Sequence, residues 1–108
     1  MKLYFGALGG GMYELAKKEN PNAKIIDNLQ DKTKELTLAG ENVQDYARKL
    51  TQEEPDAVVC CVEVGLGVIP LDKTERSWRE ETGRALCILA EYSESVTRVV
   101  YGIGQKIK

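Results

Sequence analysis

Histidine is absent from the 108-residue chain. That absence alone removes Ser-His-Asp triads, histidine-held metal sites and any intermediate carried on an imidazole. Cysteine is scarce. There are three, an odd number, and Cys60 and Cys61 are adjacent in an apolar run. This argues for reduced thiols in a cytoplasmic protein rather than a disulfide framework. Neighbours on a strand point to opposite faces, so this pair is poorly placed to share a soft metal and reads as core. No metal site is expected. No apolar run approaches the roughly 20 residues needed to span a bilayer. An excess of either charge is also missing. Fifteen basic against seventeen acidic residues leave a net charge of −2. Nucleic acid and anionic membrane therefore have no electrostatic case as partners. The opening Met1-Lys2-Leu3-Tyr4-Phe5 lacks the longer apolar region of a signal peptide and reads as a first strand.

What remains is ordinary for a globular chain, with 43% hydrophobic and 30% charged residues. The length suits one domain over residues 1–108, with one core. Residues 57–70, AVVCCVEVGLGVIP, form its longest nearly uncharged stretch. The run from Ala57 to Val62 is apolar on both faces and rich in β-branched valine, the pattern of an interior strand covered on both sides. Glu63 follows, then Gly65 and Gly67 loosen the backbone before Pro70 stops it. A strand ending in a carboxylate and a glycine turn is where open α/β sheets place ligands.

The other elements follow in order. Residues 2–5 predict a strand and 12–19 a helix ended by Asn20-Pro21. Residues 24–26 predict a short strand, and 31–36 a short helix in a poorly periodic stretch. Val43, Tyr46, Ala47 and Leu50 share one helical face. Residues 72–93 predict the longest helix, capped by Asp72 with Glu75 three residues on, and with Trp78, Ala85, Leu86, Leu89 and Ala90 as its buried stripe. Residues 96–101 predict the last strand, broken by Gly102-Ile103-Gly104, with 105–108 as a solvated basic tail. Strands alternating with helices imply a three-layer α/β domain with a mostly parallel sheet.

Between the first strand and helix lies Gly6-Ala7-Leu8-Gly9-Gly10-Gly11-Met12. Strand, glycine loop and helix form the layout of a phosphate-binding turn. Gly6, Gly9, Gly10, Gly11 and Met12 are therefore candidate nucleotide-binding residues, acting through backbone N–H groups. A loop that keeps its glycines only for the turn is the competing reading. Glu63 is a further candidate, for Mg²⁺ or a ribose hydroxyl. Its structural alternative is to cap a turn or to pair with Arg76 or Arg79.

The second half resembles a known family. Glu63-Val-Gly-Leu-Gly-Val-Ile-Pro70, Arg76-Ser-Trp-Arg79, Gly83, Leu89-Ala90, Val99-Val100 and Gly102-Ile-Gly-Gln-Lys-Ile-Lys108 resemble adenosylcobinamide kinase/adenosylcobinamide-phosphate guanylyltransferase in order and spacing, over residues 58–108. The resemblance implies a cut-down P-loop NTPase-like fold and a place in cobalamin assembly. It also implies ATP or GTP with Mg²⁺, or a corrinoid, as ligand and a homo-oligomeric assembly. The family phosphorylates its corrinoid, then transfers GMP through a histidine. Its loop ends Gly-Lys-Ser. Laid on that loop, one register puts Gly11 at the lysine and Met12 at the hydroxyl, while the spacing from Gly6 to Gly11 puts Met12 and Tyr13 there. Neither supplies the cation for the phosphates or the hydroxyl for Mg²⁺. The reading is a degenerate homologue without either reaction and with no assigned catalytic residue, a nucleotide- or corrinoid-binding or interaction module. The alternative is an active transferase with altered equipment, in which Lys17 or Lys18 reaches a phosphate and Tyr13, Glu63 and Arg79 take part.

Overall fold

Strands apolar on both faces have to be covered on both faces, and the chain does this with four helices. The structure, a computed structural model, describes residues 1–64 and 72–108. The elements run β1 (Lys2–Gly6), α1 (Met12–Glu19), β2 (Ile25–Ile26), α2 (Leu29–Leu38), α3 (Val43–Glu53), β3 (Val58–Val62), α4 (Lys73–Tyr92), β4 (Ser95–Val100) and β5 (Ile103–Lys106). They form one five-stranded sheet in the order β2-β3-β1-β4-β5. The first four strands are parallel and β5 is antiparallel. The expected three-layer, mostly parallel α/β architecture is therefore present, and it is compatible with a P-loop-like fold. The turn at Gly65 and Gly67 and the stop at Pro70 lie outside the described residues.

The two faces are covered unequally. α1 alone lies on one, where Met12 and Ala16 pack with Tyr4, Val58, Cys60 and Val99. α2, α3 and α4 share the other, over Leu3, Val59, Cys61 and Val96. The helical face read from Val43, Ala47 and Leu50 is buried as expected, and Tyr46 packs against its edge. Asp72 caps α4 by accepting from the Thr74 and Glu75 N–H groups. Each such cap stabilises a helix by about 1 kcal/mol.

Two expectations change. The helix around 31–36 extends over Leu29–Leu38. Its buried residues include Gln30 and Thr33, so apolar periodicity under-reads it. The Thr33 hydroxyl donates to the Gln30 carbonyl at 3.0 Å and lies 2.7 Å from the Thr82 hydroxyl of α4. The Trp78 indole N–H donates to the same two α2 oxygens, at 3.0 and 3.1 Å. Trp78 is therefore half-buried and pinned by its polar edge, rather than sunk in the core. Gly83 is exposed with nothing close to its Cβ position, so it is merely tolerated in the helix.

The second change is at the C-terminus. Residues 103–106 form a strand where a break was expected, and it is exposed along its whole length, as is the rest of the tail. Tyr101 (φ 49°) and Gly102 (φ 74°) are both left-handed, the geometry of a tight two-residue hairpin turn. Tyrosine seldom takes that conformation, so the pair carries only half of the usual sequence signal. Lys108 then donates to the Ala90 and Glu91 carbonyls at 2.9 and 2.8 Å, at the negative end of α4.

All three cysteines are free, with Cys60 and Cys61 buried and Cys87 exposed on α4. Burial pushes the Cys60 and Cys61 thiols up to about 12, so both stay protonated through neutral pH. No helix among the described residues is long and apolar enough to cross a membrane. The thiolate is the reactive form. Thiol-specific alkylation of the folded protein at pH 8, followed by mass spectrometry, is expected to add one label, on Cys87. Three labels are expected in concentrated urea. Fast labelling of Cys60 or Cys61 without denaturant would contradict the burial described.

Candidate functional site

The parallel strands β1 and β3 end side by side, and the Glu63 N–H donates to the Gly6 carbonyl at 2.9 Å. The glycine loop leaves from that edge. Gly6 is buried, and a Cβ there would collide with the Val99 carbonyl on β4. Gly11 has φ 76° and is the N-cap of α1, with no side-chain hydrogen bond to the cap. Its Cβ position is 3.2 Å from the Gly102 Cα, and the Gly10 carbonyl accepts the Gly102 N–H. The loop is thus braced against the β4–β5 turn. Bulkier residues at 6 and 11 would push it away.

A cavity of about 320 Å³ opens at this loop. Gly9, Gly10, Gly11 and Met12 line it together with Tyr13, and Gly6 sits behind them as their anchor. Helix α1 begins at Met12, immediately after Gly11. Of the two registers of the loop, one places Met12 where a phosphate-binding loop carries lysine and the other where it carries the hydroxyl. Met12 is 8% exposed and packs against the sheet with Ala16 and Val99. Donors for an anion here are main-chain N–H groups of the loop and the first helical turn, with the Tyr13 hydroxyl and the Asn28 amide beside them.

Glu14, Asp27 and Asn28 also line it, and they carried no functional signal in the sequence beyond the place of Asp27 directly after a strand. Asn28 takes a left-handed conformation (φ 53°). Its N–H donates to Asp27 at 2.9 Å, and its side chain accepts from Gln30 at 3.2 Å. Gln30 also accepts the Val62 N–H at 3.0 Å, which ties the end of β3 to the start of α2. The described lining thus has two carboxylates and no lysine or arginine. A triphosphate carries charge of the same sign as those carboxylates.

Glu63 is elsewhere. Side chains alternate along β3, so Val58 and Cys60 face α1 while Val59, Cys61 and Glu63 face the other helices. Glu63 and Arg79 line a separate, mostly apolar cavity of about 310 Å³ with Leu86 and Cys87. The structure therefore gathers four of the six candidates in one cavity, keeps Gly6 as its support and sets Glu63 on the opposite face. Lys17 and Lys18 are exposed at the far end of α1 and do not line the glycine-loop cavity. No group of three or more metal-ligating side chains occurs among the described residues.

The two kinds of glycine can be separated by mutation. Gly6→Ala meets backbone, which cannot yield as a side-chain tip can. It is expected to cost about 3 kcal/mol. Gly9→Ala meets nothing within 4 Å, and only its φ of 78° opposes it. That change is expected to cost about 1–2 kcal/mol. Urea unfolding of both variants measures the difference, and equal costs would show that the loop is not braced as described.

A model of the family described as cobinamide kinase / cobinamide phosphate guanyltransferase matches residues 16–107. No curated protein matches the chain. The matched stretch begins inside α1 and takes in the parallel strands β2, β3 and β4 together with the β4–β5 hairpin. It covers most of the sequence, and the chain belongs to the cobinamide kinase / cobinamide phosphate guanyltransferase family.

Proposed function

We propose that this chain serves cobalamin assembly without carrying out either family reaction, as a nucleotide- or corrinoid-binding or interaction module. The observation that carries this reading is the loop cavity. Met12 stands at the lysine position in one register of the loop and at the hydroxyl position in the other, and it is committed to the core, while Glu14 and Asp27 line the opening. Loss of a single transition-state charge stabiliser costs on the order of 10²- to 10³-fold in rate. Here the cation and the metal-binding hydroxyl are both replaced. A chain without histidine also cannot form a nucleotidyl-histidine.

The test is direct. Incubation with cobinamide, ATP or GTP, and Mg²⁺ is expected to yield no phosphorylated cobinamide. Titration calorimetry with the Mg²⁺-nucleotides is expected to give a Kd weaker than about 100 μM, roughly −5.5 kcal/mol. Measurable ATP-dependent phosphorylation would establish the alternative, an active transferase with unusual equipment.

A second observation favours self-association. Val100, Tyr101, Ile103 and Ile107 are large, apolar and exposed together on and beside the β4–β5 hairpin. Clusters of this kind mark contact surfaces, and homo-oligomers bury them symmetrically. Light scattering at high concentration is expected to show an oligomer that Ile103→Glu dissociates. A monomeric mass throughout would remove this reading.

A further inference from the structure

Helix α1 is only eight residues long and, among the described residues, is the sole helix on its face of the sheet. Where β1 and β4 begin and β5 ends, at the opposite end of the strands from the glycine loop, a polar cavity of about 490 Å³ is left open. Its wall is pre-organised. Tyr4 is 4% exposed, and its hydroxyl donates to Glu19 at 2.7 Å while accepting from Asn20 at 3.0 Å. Asn20, 9% exposed, accepts in turn from the Lys2 ammonium at 3.0 Å. Burial, reinforced by Glu19, pushes the Tyr4 phenol up to about 12, so it remains a fixed donor.

Two features of this cavity leave polar groups open to a ligand. Thr97 lines it at 9% exposure, yet its hydroxyl bonds to no protein group. The hydroxyl is not sealed from the cavity, so it is open to a ligand there. The charges are open as well. Lys2 and Lys106 line the cavity along with Glu19 and Glu94, but none of the four forms an ion pair with another. Elsewhere on this surface, seven lysine or arginine contacts to carboxylates do close. Both signs of charge thus border one space.

We propose that this cavity binds a small zwitterion, a molecule with one ammonium and one anionic group. Lys106 takes the anionic end, Glu94 takes the ammonium, and the Thr97 hydroxyl bonds to the ligand between them. A molecule of one sign gains from one pair and is repelled by the other, so the dipolar class is selected. This site is independent of the glycine-loop reading.

The test titrates the full chain with the ω-amino acids from β-alanine to 6-aminohexanoate, followed by NMR chemical shifts. This series varies the separation of the two charges. At least one member is expected to bind with a Kd near 1 mM or tighter, about −4.1 kcal/mol. Butylamine and butyrate, with one charge each, are expected to bind at least about tenfold more weakly. Lys106→Met and Glu94→Gln alter exposed side chains and leave the fold intact. Each is expected to weaken binding about tenfold, and Thr97→Val about fivefold. The proposal is overturned if no member binds at about 10 mM. It is equally overturned if the single-charge controls bind as well, or if Lys106→Met and Glu94→Gln bind unchanged.

Discussion

The burial of β1 between β3 and β4 is the constraint from which the other arrangements follow. A central parallel strand has neither a free edge nor a free face, so Leu3 and Tyr4 point into opposite layers and both are buried. Parallel pairing forces each connection across a face; two of those connections place α2, α3 and α4 on one side, while the third places α1 on the other. Parallel pairing also brings the ends of β1 and β3 to one edge. The glycine loop, the end of β3 and the start of α2 meet there because the strand ends do.

The loop is held by close backbone contact more than by side chains. Gly6 lies against the Val99 carbonyl, and Gly10 and Gly11 lie against Gly102. Such packing gives a turn of fixed shape, which is one requirement for receiving a ligand on main-chain N–H groups. The charges around it point another way. Glu14 and Asp27 raise negative potential where a phosphate would need the reverse, and Met12 is part of the hydrophobic layer under α1. Shape and electrostatics have separate origins here, the first in glycines and the second in the side chains around them.

A buried polar junction joins the two halves of the larger layer. Thr33 of α2 receives the Trp78 N–H and lies against Thr82 of α4, while Gln30 reaches the backbone of Val62. Thr33 and Thr82 are fully buried and satisfied, so they fix how α2 and α4 sit as well as filling space. None of this shows as periodicity, because the buried residues are polar. The same is true of Tyr4, Asn20 and Thr97 on the other face.

Much of the architecture was legible in the chain itself. The apolar run of β3, the face of α3, the Asp72 cap and the alternation of strands with helices each follow from local pattern, because each is a response to water on one side or both. The family was legible too, in the motifs of the second half. The lack of histidine, and of lysine and serine after the glycines, could be read without coordinates, because no folding can supply a missing group. Tertiary structure alone decided the rest. The β4–β5 hairpin depends on a left-handed Tyr101 that local preference disfavours. The separation of Glu63 from the glycine loop depends on which face a strand position takes. Asp27, Glu14 and the Lys2–Tyr4–Asn20–Thr97 cavity depend on residues far apart in the chain coming together. Local sequence specifies how each segment meets solvent, whereas only the packed sheet specifies which side chains share a cavity.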